Sequence, residues 1–387
     1  MLATRPDIDI IAIERTFDSI EAATHRIISH IGGMASVVKD SKIAVLKPNF
    51  VGGRSAVTGS TTSFSLLKAV SEEVRACGAE PVLFEIPGTE FDREATYTIL
   101  GVEKFCNEHG IRIMRVDPEG DDQDWIELRT EGARRLHRFR IPRFMEKACF
   151  INLPVFKTHV MSTMTLGMKN PMGILSSPDR RAMHTLGISQ CIVDMNRGIK
   201  PDLTIVDGSV GQDGEGPLYG ERADLQILVA GRSSLPVDLV CCQLVGVKPF
   251  DIPHLRLALE QNGSPLYTVV GGDTTMIKQF RLPKQNSLYR FSFWLIFLLD
   301  IPYCWFAERG WHLNSTLYRS GFFGTRPQIN RPSCTQCGIC IKACPLPGVI
   351  DLETMKVNYH ICQRCLLCYE GCPEKAISIK GYSGMRG

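Results

Sequence analysis

Short apolar runs alternate with amphipathic stretches along most of the chain. Seven runs have the length and polar flanks of buried strands, and they cover residues 8–13, 42–46, 81–86, 111–116, 148–153, 203–206 and 225–230. Apolar residues recur at helical spacing in residues 17–31, 66–76, 91–108, 188–195 and 235–245. This alternation predicts an α/β fold, in which a large domain has a mostly parallel sheet flanked by helices.

Three other segments carry weaker patterns. Residues 134–143 alternate apolar and basic side chains, which is typical of a strand with one solvated face and is also compatible with an anion-binding stripe. Residues 154–165 are polar and methionine-rich, and residues 211–220 are glycine-rich. Both are predicted to be loops that follow strands.

The most apolar tract of the chain covers residues 290–311. Asp300 and Pro302 interrupt it, so it is too short to span about 30 Å of hydrocarbon. Three interpretations remain: a packing helix, the lining of an apolar substrate site, or a peripheral membrane or protein docking segment at 291–299.

Composition adds little that is unusual. The 387 residues are 44% apolar and 22% charged, and 44 basic side chains nearly balance 41 acidic ones. These values are typical of a globular protein and give no reason to expect nucleic acid as a partner. Seven of the fifteen cysteines are scattered, mostly in apolar runs. They indicate buried free thiols in a reducing compartment and therefore a cytoplasmic protein.

The remaining eight cysteines form two copies of the pattern C-x2-C-x2-C-x3-C-P. Each cysteine of the second copy lies 28 positions after its counterpart, as Cys362 does after Cys334. A tetrahedral zinc site usually takes its cysteines in C-x2-C pairs, so the third cysteine of such a run argues against zinc. A disulfide framework is typical of short secreted chains, and this chain has 387 residues.

The repeat resembles that of two-cluster bacterial ferredoxins, and the resemblance implies two [4Fe–4S] clusters. In those proteins the fourth cysteine of each run binds the other cluster. The implied ligands are Cys334, Cys337, Cys340 and Cys372 for one cluster, and Cys362, Cys365, Cys368 and Cys344 for the other.

Several polar side chains follow the predicted strands or lie in glycine-rich loops. They are Lys47, Asn49, Lys157, His159, Lys169, Asn170, Asp207 and Glu215. Ligands of open α/β sheets bind outside the carboxyl ends of the strands, so these groups are expected to converge there. Three lysines suit an anionic substrate, and a histidine exchanges protons near neutral pH. The alternative is that these side chains are merely solvated. The phosphate-cradle, nucleophile-elbow and zinc-protease motifs are all missing from the sequence.

The same polar residues carry a resemblance to the DUF362 family, whose members often have a C-terminal two-cluster module. The matching segments are residues 46–49, 61–62, 152–154, 157–159, 167–173, Asp194, 201–208, 215–220 and Asp238. This resemblance supports a domain plan with an α/β domain at 1–280, a connecting segment at 281–325 and a two-cluster domain at 326–387. The resemblance implies no particular reaction.

The favoured hypothesis is an iron–sulfur oxidoreductase that passes low-potential electrons to a small anionic substrate, possibly a carboxylate. His159 would supply a proton, while Lys47, Lys157 and Lys169 would position the anion. Asp207 and Glu215 would orient the lysines or bind a metal. One alternative is an electron-transfer or assembly partner of a larger redox complex, and a redox protein partner is expected in either case. Another is a non-redox enzyme with structural clusters.

Overall fold

The computed structural model describes residues 8–88, 92–119, 123–217, 219–283 and 326–380. The apolar tract predicted at 290–311, which includes Cys304, lies outside these residues. The chain divides into two compact units. The first comprises Met1–Asn49, Ser55–Ile86 and Phe105–Arg290, and the second comprises Phe50–Arg54, Pro87–Lys104 and Phe291–Gly387.

Eleven of the described strands form one sheet in the first unit. They are β1 (Asp9–Arg15), β2 (Ile43–Lys47), β3 (Glu80–Leu83), β4 (Arg112–Ile113), β7 (Cys149–Asn152), β8 (Val155–His159), β9 (Thr163–Thr165), β10 (Leu203–Glu215), β11 (Tyr219–Ala223), β12 (Ile227–Gly231) and β13 (Tyr267–Val270). The hairpin strands β5 (Trp125–Arg129) and β6 (Arg138–Pro142) form a separate two-stranded sheet.

The order β10-β7-β2-β3-β4 forms the parallel half of the large sheet. On the other side of β10, strands β12 and β1 pair antiparallel, and β13 then pairs parallel with β1. The prediction of a mostly parallel sheet in an α/β fold is confirmed. Strands β2 and β7 are buried because helices cover both faces of such a sheet.

Helices of the first unit pack on this sheet or on each other. They are α1 (Ile20–His30), α2 (Met34–Val38), α3 (Phe64–Ala76), α6 (Ser177–Leu186), α7 (Ile188–Gly198), α8 (Ser234–Leu244) and α9 (Pro253–Asn262). Serine side chains cap the amino ends of α1 and α3, where Ser19 and Ser63 accept backbone N–H groups.

Two helical predictions need correction. The stretch predicted as one helix at 91–108 is two helices, α4 (Arg93–Leu100) and α5 (Val102–Glu108). Gly101 between them has a φ of 72°, a left-handed conformation that ends a helix. Helix α6 was not predicted, because its ten residues are mostly polar and form no long apolar stripe.

The segments predicted as loops at 154–165 and 211–220 are largely β-hairpins. Strands β8 and β9 pair antiparallel, and β10 continues through Glu215 to pair with β11. Glycine permits close approach here, because a Cβ atom on Gly216 would lie 2.3 Å from the Thr158 carbonyl oxygen. By contrast, residues 138–142 of the segment predicted as a strand at 134–143 form β6. In β6, Phe139 is buried and Arg138 is exposed.

The second unit contains a small cysteine-rich region, residues 326–380, called the cysteine module below. Its strands are β14 (Arg326–Ile329), β15 (Ile350–Asp351), β16 (Lys356–Val357) and β17 (Ile377–Lys380), and its helices are α10 (Ile339–Ala343) and α11 (Leu367–Glu370). Ile329, Val349, Ile350 and Ile377 form its core together with cysteines. Among all described helices, none has the length and apolarity needed to cross a bilayer.

Candidate functional site

The carboxyl edge of the parallel strands gathers most of the predicted site residues. Lys47 ends β2 and lies opposite Asn152, which ends β7. Thr204, near the start of β10, is also paired with Asn152. Strand β10 therefore begins where its neighbours end, and it extends the sheet beyond this edge, as far as Glu215.

Lys47 is fully buried and forms an ion pair with Glu85, which follows β3 and is 3% exposed. The Lys47 ammonium also donates to the carbonyl oxygen of Pro48 at 2.6 Å. Burial lowers the pKa of Lys47, and the Glu85 carboxylate opposes this effect. Removing either partner would leave an uncompensated buried charge, which is strongly destabilising. Space for the pair exists because Gly173 has no side chain, since a Cβ there would lie 2.8 Å from the Lys47 Nζ atom.

Lys157 lies in β8 and is 1% exposed. Its Nζ atom donates to the Asn49 side-chain oxygen and to the Ser60 carbonyl oxygen. Burial lowers the pKa of Lys157 well below its ordinary value, and the neighbouring Lys169 ammonium lowers it further. Lys157 therefore loses its proton more readily than an exposed lysine does.

Three asparagine side chains connect the two buried lysines. Asn49 donates to Asn170 at 2.8 Å, and Asn170 donates to Asn152 at 2.9 Å. The Asn170 oxygen also lies 3.3 Å from the Lys47 Nζ atom. Since Asn49 accepts from Lys157, the network is continuous from one lysine to the other. A hydrogen-bonded network of this kind holds its members in fixed orientations.

His159 ends β8 and is half-buried. Its Nδ1 atom accepts the backbone N–H of Met161 at 3.0 Å, which leaves the ring proton on Nε2. Burial lowers the pKa of His159 well below its ordinary value, and the largest charged contributors after burial are Lys169 and Lys157. The imidazole is therefore neutral near pH 7 and offers an N–H donor.

Two further histidines belong to this cationic environment. His184 of α6 and His254 of α9 each have a pKa lowered to about 3, first by burial and then by the Lys169 ammonium. Each also contributes to the lowered pKa of His159. The three imidazoles and Lys169 therefore form one group, in which every charged neighbour that shifts a histidine is cationic.

His254 is the member of this group with both ring nitrogens unpartnered among the described residues. Its side chain is 0% exposed. A buried polar group without a partner costs about 1–3 kcal/mol. Such groups are usually satisfied by water or a ligand.

A buried aspartate fixes the loop that carries Lys169. The Asp238 carboxylate in α8 accepts the backbone N–H groups of Gly167 at 2.6 Å and Met168 at 2.9 Å. A Cβ atom on Gly167 would lie 2.9 Å from the Asp238 Oδ1 atom, so the contact requires glycine. Burial raises the pKa of Asp238 to about 7.

The two predicted acidic site residues both lie in β10. Asp207 accepts the backbone N–H of Ser63 at 2.8 Å and the hydroxyl of Ser209 at 2.6 Å, so it anchors the start of α3. Glu215 is the last residue of β10 and pairs with Tyr219 across the hairpin. The structure thus brings Lys47, Lys157, Lys169 and His159 together, because neighbours in this set shift the pKa values of Lys157 and His159. The site roles of Asp207 and Glu215 stay predictions.

The residues that sequence patterns missed are Glu85, His184 and His254. Glu85 lies directly after the buried strand β3, and an acidic residue at the end of an apolar run is a signal for the carboxyl edge. The two histidines lie on helices rather than on strand ends. Their convergence on Lys169 depends on helix packing, which the local sequence does not specify.

The cysteine module places its eight repeat cysteines around two separate cavities. One cavity is lined by Cys334, Cys337, Cys340 and Cys372, and the other by Cys344, Cys362, Cys365 and Cys368. Each cavity thus takes three cysteines from one copy of the repeat and one from the other. This is the grouping that the resemblance to two-cluster ferredoxins implies.

The surroundings of these thiols fit sulfur-ligated clusters. None of the eight is in a disulfide, and the Ala376 backbone N–H donates to the Cys372 sulfur at 3.3 Å. No described group of ligands is close enough to hold a single metal ion, whereas thiolates around a cubane bind four different irons and stand further apart. Burial raises the pKa of Cys368 to about 12, so binding a metal there would release a proton.

The backbone repeats in both copies of the motif. Gln336 and Arg364 have φ values of 56° and 54°, and Gly338 and Leu366 have values of 74° and 64°. Left-handed residues in such turns point successive N–H groups toward one concave site, a device that serves many iron–sulfur centres. Gln336 and Arg364 are non-glycine residues in equivalent strained conformations, and strain of this kind clusters at functional sites.

Comparison with known proteins gives a relative and a family. A thylakoid-associated protein of Synechocystis sp. is 25% identical over 263 residues, which cover 64% of this chain and 78% of the relative. The model of the family described as "Domain of unknown function (DUF362)" matches residues 44–243, more than half of the chain. That match contains Lys47, Lys157 and Lys169 and ends just before the carboxyl end of α8. The chain belongs to the DUF362 family.

Proposed function

We propose that the protein is an iron–sulfur oxidoreductase that binds a small anionic substrate at the carboxyl edge of its large sheet. The observation that carries this proposal is the crossed grouping of eight cysteines around two cavities. When bound, two [4Fe–4S] clusters would supply one-electron transfer at low potential. The ligand sets would be Cys334, Cys337, Cys340 and Cys372 for one, and Cys362, Cys365, Cys368 and Cys344 for the other.

Charge supports an anion as the substrate. Lys157, Lys169 and three histidines surround the site, and Glu85 is the acidic side chain that offsets Lys47 and Lys157. A carboxylate would offset the positive charge of Lys169 and would accept hydrogen bonds from Lys169 and from the single N–H of the neutral His254 ring. Buried, preorganised donors of this kind stabilise negative charge more strongly than donors in water do.

His159 has a defined role in this scheme. Its Nδ1 atom is occupied by the Met161 N–H, so only Nε2–H faces a ligand. A neutral imidazole of this kind donates a hydrogen bond to a developing oxyanion, and Lys157 has a pKa low enough to assist in proton exchange. Asn49 and the Ser60 carbonyl oxygen hold Lys157 in place, and Asn170 links Asn49 to Lys47.

The first test is substrate-dependent reoxidation. The protein would be reduced anaerobically, and small unsaturated carboxylates would be screened for the recovery of its visible absorption. Lys157→Met keeps the length of the side chain and removes its donors, so we expect at least a tenfold loss of the reoxidation rate. Lys147→Met, at an exposed position, serves as the matched control.

Two results would count against the proposal. One is reoxidation at the same rate in both lysine variants, which would exclude the site. The other is reoxidation by a redox protein but by none of the carboxylates.

Proton uptake provides a second test of the same site. Burial and cationic neighbours hold the pKa values of His159, His184 and His254 below the ordinary value. A bound anion favours the charged forms and raises these pKa values. Binding should therefore take up protons, and affinity should increase as the pH falls. Calorimetry in two buffers with different heats of ionisation measures this uptake, and proton release on binding would contradict the account.

A second candidate function is electron transfer to a membrane-associated partner. The observation in its favour is that the Synechocystis relative is named a thylakoid-associated protein. In this case residues 291–299 would provide the docking segment predicted from sequence. Flotation with liposomes tests this candidate, and a protein that stays in the soluble fraction would remove the membrane version of it.

A further inference from the structure

A cavity distinct from those of the cysteine module lies in the first unit, between α7, the start of α8 and α9. Its volume is about 210 Å³, and its polar lining includes Asn196, Arg197, Lys200, Arg232, Ser234 and Asn262. None of the residues that line it is an aspartate or a glutamate. None of them belongs to the lysine and histidine group of the carboxyl edge.

The three basic side chains of this cavity have no carboxylate partner among the described residues. Arg197 donates to the amide oxygens of Gln261 at 3.3 Å and Asn262 at 3.0 Å. The Nε atom of Arg197 is buried and has no acceptor there. Arg232 donates to the carbonyl and hydroxyl oxygens of Ser36, and Lys200 is exposed.

Elsewhere in this unit, guanidinium groups are commonly neutralised. Arg112 is bound to Glu80 at 2.7 Å, and Arg181 is bound to Glu119 at 2.9 Å. By contrast, three cations without a carboxylate partner among the described residues border this one cavity. Such an arrangement raises the local positive potential and attracts anions.

The first turn of α8 adds donors to the same cavity. Its N-cap residue, Ser233, makes no capping hydrogen bond with its side chain. The early N–H groups of a helix have no acceptor within the helix, and the positive end of its dipole favours an anion. These donors add to the positive potential that the three cations produce.

We propose that this cavity binds the phosphate group of a small phosphorylated molecule or free inorganic phosphate. Guanidinium groups recognise phosphate oxygens with paired hydrogen bonds, and three cations match a dianion better than a single carboxylate charge. Pockets for drug-sized ligands hold about 300–1,000 Å³, so 210 Å³ suits a smaller ligand. The site is separate from the substrate site and does not depend on the proposed redox function.

Calorimetric titration of the full-length protein tests the proposal, with inorganic phosphate and glycerol 3-phosphate as probes at constant ionic strength. We expect saturable binding, weakened at least tenfold by Arg197→Gln and by Lys200→Gln, because each removes a charged donor. Lys200 is exposed and has no partner among the described residues, so its replacement does not threaten folding. Arg129→Gln, at a position 88% exposed and outside the cavity, is the control and should bind as the wild type does.

Tighter binding of glycerol 3-phosphate would identify a phosphorylated metabolite as the ligand, whereas equal affinity would identify free phosphate. The proposal is overturned if the wild-type protein shows no saturable binding of either probe. It is also overturned if Lys200→Gln and Arg197→Gln bind both probes as tightly as Arg129→Gln does.

Discussion

At the scale of single residues, the carboxyl-edge site consists of buried titratable side chains whose pKa values are shifted by burial. Lys47 and Lys157 were recognisable in the sequence because each lies at or near the end of an apolar run. Glu85 was missed although it lies at the end of an apolar run, and His254 was not recognisable, since its role depends on contacts with distant segments. Local patterns thus predicted the lysines and His159, but not the carboxylate that offsets Lys47 or the other two histidines.

His254 allows a prediction about acid stability. Its pKa is about 3 in the folded protein, against an ordinary value near 6.5. Between these values the unfolded chain binds a proton that the folded chain does not, so stability falls with falling pH by up to about 1.4 kcal/mol per pH unit. His254→Leu removes this contribution, and its free energy of unfolding should depend less steeply on pH between about pH 5 and pH 6.

Urea denaturation at several pH values measures this slope. His137→Leu is the control, because His137 is exposed and its variant should keep the wild-type slope. An unchanged slope in His254→Leu would show that the buried imidazole is already charged or solvated.

At the scale of elements, glycines decide where the site can form. The alternation of apolar runs predicted most helices and the parallel strands. However, the glycine-rich segment at 211–220 belongs to a hairpin rather than a loop. Glycines are common in loops, but in this hairpin they permit close packing of one backbone on another, as at Gly211 and Gly59. Composition alone does not distinguish these two uses of glycine.

Gly59 tests this interpretation. It has a φ of +72°, and a Cβ atom there would lie 2.0 Å from the Gly211 carbonyl oxygen. Gly59→Ala therefore adds steric overlap, about 1–3 kcal/mol, to left-handed strain, about 1–2 kcal/mol. It should also displace Ser60, whose carbonyl oxygen accepts from Lys157, and so weaken anion binding.

Gly78 provides the matched control for this substitution. It also has a left-handed φ, +80°, but nothing lies within 4 Å of an added Cβ atom. Gly78→Ala should therefore lose only the strain of about 1–2 kcal/mol. Urea denaturation compares the two variants, and equal losses of stability would contradict the close approach of Gly59 to β10.

At the scale of the whole molecule, one chain combines an α/β unit that carries buried lysines with a cysteine module. The cysteine spacing alone predicted two groups of four ligands, because three cysteines with two residues between each pair can wrap one face of a cluster. The crossed membership came from the resemblance to ferredoxins, and the cavities of the module have the same membership. The substrate was not predictable, since the local sequence specifies charge at the site but not the shape of the space that packing leaves.

The most direct test of the central claim is the iron content of the anaerobically purified protein, measured together with its electron paramagnetic resonance spectrum after reduction. Two [4Fe–4S] clusters predict about eight irons per chain and the signals of reduced cubanes. Cys372→Ser should alter the cluster held by Cys334, Cys337 and Cys340, and leave the other one intact. Zinc in place of iron, or a loss confined to the cluster of Cys362, Cys365 and Cys368, would contradict the account.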